Sequence, residues 1–73
     1  MTDDQRENQK LIIAEGLAEF FKNDPKKIAL WLLSDNPHFG NLPPAYLIGI
    51  RGEPGLEKVA KFILAAMELN AFP

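Results

Sequence analysis

The sequence predicts an all-α fold, a single small bundle of about four helices, and three observations predict it. Apolar residues recur at three- and four-residue spacing through two long stretches free of proline. Clusters of proline, glycine and asparagine interrupt the 73-residue chain at three places. No segment alternates apolar and polar residues as a half-buried strand does.

The first helix is expected over residues 3–22. Thr2 followed three residues later by Gln5 fits a capping box, and Asp3, Asp4 and Glu7 suit the positive end of the helix dipole. Asn23-Asp24-Pro25 stops it. At about 100° per residue, Ile13, Leu17, Phe20 and Phe21 share a stripe, while Leu11 and Ile12 point elsewhere. That second apolar patch has no place inside a monomer this small.

Asp24 is the N-cap of a second helix, with Pro25 at its first position, ending at Leu33 or Ser34. Ile28, Trp31 and Leu32 lie on one face, with Leu30 and Leu33 opposite. A helix apolar nearly all round belongs at the centre of a bundle, with Trp31 as its anchor. Residues 35–42 are dense in turn formers, and Pro43-Pro44 open a third helix to about Ile50, shortened and softened by Gly49. After Arg51-Gly52-Glu53-Pro54-Gly55 comes the last helix, Leu56 to Leu69. Its core stripe is Leu56, Val59, Ala60, Ile63, Ala66 and Met67, its polar side Glu57, Lys58, Lys61 and Glu68, and Phe62 and Leu69 sit on a flank.

Composition narrows the function. Hydrophobic residues at 47% suffice for one core, and charged residues at 25% match a globular protein. A chain this short buries only about 60% of its unfolded surface, so every apolar residue counts. There is no cysteine, which removes disulfides and thiolate metal sites and sets a reducing, cytoplasmic location as the expectation. The start Met1-Thr2-Asp3-Asp4 is acidic where a signal peptide is basic, and no apolar run approaches the ~20 residues of a membrane span. A net charge of −2 offers no broad positive field for nucleic acid.

The chemistry-bearing residues do not assemble. His38 is the only histidine, and a catalytic or ligand histidine needs partners that cannot be nominated; it reads as a loop residue bonded to local backbone. Glu15 and Glu19, four apart on one helical face, read as a solvated surface pair and not as a paired acid and base. Lys22, Lys26 and Lys27, with Lys58 and Lys61, sit amid acids and lack the Arg, Asn or Gln that read base edges. Gly49, Gly52 and Gly55 lack the lysine and hydroxyl of a phosphate loop and read as turn and helix-entry residues. No catalytic residue, metal ligand or cofactor is expected.

The loop Asn36-Pro37-His38-Phe39-Gly40-Asn41-Leu42-Pro43-Pro44 is the most distinctive passage. Its prolines and glycine preset the backbone, and Asn36 and Asn41 can bond neighbouring backbone and cap the next helix. Phe39 is then held by a rigid loop: as a large apolar residue it belongs inside, and the second reading makes it a presented anchor.

Trp31-Leu32, Asn36-Pro37, Phe39-Gly40-Asn41, Pro44, Leu47-Ile48, and Gly55 followed by Val59, Phe62 and Ile63 together resemble the toxin-binding domain of the Xre/MbcA/ParS family of bacterial antitoxins. The resemblance covers about Lys26 to Leu64. It implies a helical domain that binds a RES-type, NAD-degrading toxin and blocks its active site, with the tail Asn70-Ala71-Phe72-Pro73 approaching the substrate pocket. Family members usually also carry an N-terminal helix-turn-helix region, whereas only the single long helix over residues 3–22 is expected before Lys26 here.

The expected function is therefore recognition of a protein partner, with a second copy as a further candidate and no membrane. Leu11, Ile12, Phe39, Phe62, Leu69 and Phe72 are the apolar contact residues, and Asn36, Asn41 and Arg51 the orienting ones. The alternatives are a DNA-binding regulatory module of the same family and a homodimeric scaffold.

Overall fold

Helix α1 (Asp3–Phe20) begins on its expected cap in a computed structural model that describes residues 2–69. The Thr2 hydroxyl accepts from the Gln5 backbone N–H at 3.2 Å, and the Gln5 side chain accepts from the Thr2 N–H at 2.9 Å. Two donors that the helix start would leave unpaired are thereby satisfied. The helix ends two residues before Lys22, because Lys22 and Asn23 both adopt left-handed φ, 52° and 60°. The Asn23 N–H turns back to the Ala18 carbonyl at 2.8 Å.

Helix α2 (Pro25–Leu33) starts where predicted, the Asp24 carboxylate accepting from the Lys26 and Lys27 N–H groups at 3.0 and 3.3 Å. At its end the Ser34 hydroxyl donates to the Leu30 carbonyl at 2.6 Å. A short 3-10 turn, Pro37–Phe39, follows, then α3 (Pro44–Ile50) and α4 (Glu53–Leu69). The last helix begins three residues earlier than expected: Gly52, with φ of 66°, turns the chain, and Pro54 fits the first turn of a helix.

α1 and α4 pack along each other, α3 packs on α4, and α2 packs on α3. Arg6 meets Glu53 at the start of α4, while Gly16 lies against Ile63 and Met67 farther along, so α1 and α4 run parallel. The α2–loop–α3 segment is the crossover that parallel neighbours require. The core is Ile13 and Leu17 of α1, Phe39, Leu47 of α3, and Leu56, Val59, Ala60 and Ile63 of α4. Val59 and Ile63 are fully buried, each side chain contributing about 1.5–3 kcal/mol by leaving water. Among the described residues the fold is all-α, as the sequence predicts, its sole β feature an isolated bridge between Asn36 and Leu42.

Two glycines set the spacing of the bundle. A Cβ built on Gly16 would overlap Ile63 Cγ2, and one on Gly55 would overlap the Leu47 carbonyl, so α1 and α3 reach α4 only because these positions carry no side chain.

Two expectations of placement are corrected. Ile12 does not form a free patch with Leu11; it packs, half-buried, against the core. The buried stripe of α1 is centred on Gly16, four residues from Ile12, and a glycine leaves no apolar mark in the sequence. Nor is α2 the central helix: it contains no buried residue, and Leu30 and Leu33 are 68% and 70% exposed. The centre belongs to α4, on which both α1 and α3 pack.

Candidate protein interaction surface

The loop before α3 is built around Asn36. Its carbonyl accepts from the Phe39 and Asn41 N–H groups, both at 2.9 Å, its N–H donates to the Leu42 carbonyl at 3.3 Å, and its side-chain oxygen accepts from the His38 N–H at 2.9 Å. The residue is buried, and that oxygen is used inside the loop, so Asn36 closes the turn and does not present a contact to a partner. Asn41 is exposed and takes φ of 62°, a conformation asparagine tolerates. It does not cap the next helix, since the N-cap of α3 is Pro43, without a side-chain bond.

The closed loop drives Phe39 inward. Phe39 is 3% exposed and meets the ring of Phe62 edge-on, with centroids 5.1 Å apart. Trp31 stacks on Phe62 at 6.3 Å and meets Phe39 edge-on at the same distance, and the His38 ring lies 4.8 Å from Phe62. These edge and stacked contacts pin α2 to α4 and each adds about 0.5–1.5 kcal/mol beyond burial. The anchor reading of Phe39 is thus corrected to a core residue, and Phe62 is not a free flank but the middle of this cluster.

The other expected contact residues remain at the surface. Leu11 on α1, Arg51 after α3 and Leu69 at the end of α4 are exposed; Phe72 lies outside the described residues. They belong to three different elements. Leu30 and Leu33, expected in the bundle centre, lie at the surface instead, opposite the face that Ile28, Trp31 and Leu32 share.

Beside α2 runs an apolar cavity of about 340 Å³. Ile13 and Leu17 of α1 and Leu56 of α4 form part of its wall, Ile28 and Leu32 of α2 and Ile48 of α3 another part, and among the described residues Lys10 supplies its only charge. α2 therefore has a cavity on its inner side and exposed leucines on its outer side. A second, polar cavity of about 440 Å³ lies between the starts of α1 and α4, lined by Gln5, Asn8, Gln9, Glu53, Pro54 and Glu57. There Arg6 bonds Glu53 at 2.6 Å; that hydrogen bond holds the Glu53 carboxyl below its ordinary pKa and raises that of Arg6.

Set against protein-family models, curated proteins and solved structures, the chain matches none. Among the described residues no group of three or more His, Cys, Asp or Glu is placed to hold a metal ion, and no helix is long and apolar enough to cross a membrane.

Proposed function

We propose that this chain is a non-catalytic protein-binding module. One observation carries the reading: α2 is hydrophobic at six of nine positions and buries none of them fully, leaving Leu30 and Leu33 in water on the side that faces away from the bundle. Large apolar side chains left exposed side by side on a small protein ordinarily mark a surface that meets another molecule.

The resemblance to the antitoxin domain supplies the partner to try first, a RES-type toxin in the bacterial cytoplasm whose active site the module occludes. In support, Trp31, Phe39, Leu47, Val59, Phe62 and Ile63, all carriers of that resemblance, meet in one packed cluster. Co-expression with such a toxin is the test: the expected outcome is restored growth, restored cellular NAD and a complex that survives gel filtration. Undiminished NAD loss with the two proteins eluting apart would remove the toxin as partner. A homodimeric scaffold, the other use of exposed leucines, is separated by measuring the mass of the purified chain by light scattering over a range of concentrations.

A further inference from the structure

We infer that the outward face of α2 receives an acidic amphipathic segment of a partner protein, apolar residues seating on Leu30 and Leu33 and carboxylates pairing with Lys22, Lys26 and Lys27. This rests on the reading of the chain as a protein-binding module and names the chemistry of what it binds.

The argument begins with position. At about 100° per residue Lys26, Leu30 and Leu33 point the same way, and Lys26 and Lys27, four and three residues before Leu30, adjoin it on the helix surface. All four are exposed, as is Lys22 in the turn that precedes the helix. The charge pattern then selects the occupant. The chain carries net charge −2, yet three of its eight Lys and Arg residues fall within six positions here. Of the five other basic residues three find acids, Arg6 bonding Asp3 and Glu53, Lys10 lying 3.6 Å from Glu7 and Lys61 pairing with Glu57 at 2.8 Å, while Arg51 and Lys58 form no ion pair among the described residues. The carboxylate nearest in sequence, Asp24, is turned to the backbone N–H groups of Lys26 and Lys27 as a helix cap. Two exposed leucines framed by ammonium groups that form no ion pair among the described residues match an apolar stripe edged with Glu or Asp. An anionic lipid surface fits less well, because recognition there draws on four to eight basic residues, and the rest of this chain, being acidic, is repelled by it.

The test uses the full chain and two synthetic peptides of about four helical turns with the same leucine stripe, one edged with Glu and its twin edged with Lys. In fluorescence anisotropy the Glu peptide is expected to bind at least about tenfold more tightly than the Lys peptide, with affinity falling as salt rises. The double variant Lys26→Glu/Lys27→Glu should invert that preference, which loss of structure would not do. Leu30→Ser/Leu33→Ser should weaken the Glu peptide about tenfold with the circular dichroism spectrum unchanged. Equal binding of the two peptides, no inversion, or tighter binding to phosphatidylserine vesicles than to the Glu peptide would overturn the assignment. So would a concentration-dependent dimer abolished by the same leucine variant, which would make a second copy the occupant. Failure here with an intact toxin complex in the co-expression test discards this face alone; peptide binding without that complex discards the toxin alone.

Discussion

Helices α2 and α4 are both rich in apolar residues, yet one buries a full stripe and the other buries nothing completely. In α4, Leu56, Val59, Ala60, Ile63 and Ala66 recur at helical spacing on one side while Glu57, Lys58 and Lys61 occupy the other, so the helix can satisfy its apolar residues against neighbours on one side. In α2 apolar residues surround the axis, and a helix at the edge of a bundle can cover only its inner half. Arrangement, more than apolar content, decides where a helix lies.

The sharpest test of this contrast is one deletion made in both helices. Ile63→Ala, at a fully buried position, should cost about 3–4 kcal/mol by lost transfer and a residual cavity. Leu30→Ala, which removes a similar volume from an exposed one, should stay within about 0.5 kcal/mol. Urea midpoints at unchanged m-value measure both. A loss at Leu30 as large as that at Ile63 would mean that α2 is covered within the folded chain and would end the comparison.

Glycine substitutions probe the α4 side next. Gly55→Ala forces a methyl into the Leu47 carbonyl, which side-chain rotation cannot relieve, and should lose about 2–3 kcal/mol. Gly49→Ala in α3 meets nothing within 4 Å and should gain about 0.5–1 kcal/mol from helix propensity, the opposite sign by the same method.

How α2 is held is the third question. Trp31 contacts both Phe39 and Phe62, so Trp31→Ala should cost about 2 kcal/mol, below the full-burial value because the ring is half-buried. Hydrogen exchange should locate the added opening in α2 amides and leave the middle of α4 protected. Uniform loss of protection would show α2 to be part of the same cooperative unit.

What could be read from the sequence divides along the same line. Thr2 and Gln5, Asp24 and Pro25, and Pro44 act through neighbours a few residues away, so three helix starts were legible. The α4 stripe was legible because its period is regular. Gly16 was invisible as the centre of the α1 stripe, since only tertiary contact with Ile63 gives a glycine that role. The edge position of α2 was equally hidden, because all-round apolarity suits either a central helix or an interface, and only the occupation of the centre by α4 chooses between them. Of the expected contact residues, the exposed Leu11, Arg51 and Leu69 remain available, whereas Asn36 and Phe39 proved to be the closure and plug of a loop.

The smallest effect tests electrostatics. At the start of α4, Arg6 donates to Glu53 and holds its carboxyl pKa below the ordinary glutamate value. The folded chain therefore takes up that proton at lower pH than the unfolded chain, so the stability from this pair is complete above the unfolded glutamate range and is lost as pH falls through the lowered folded value. Glu53→Gln should remove that part of the acid-induced loss, narrowing the difference in urea midpoint between neutral pH and about pH 3, while the pair, being exposed, keeps the effect small. Replacing Lys26 and Lys27 together by Gln should leave the acid profile unchanged, because among the described residues no carboxylate forms an ion pair with either. An acid profile altered by the lysine change would show an intramolecular carboxylate already compensating them, and the outer face of α2 would then have no unmet charge to offer a partner.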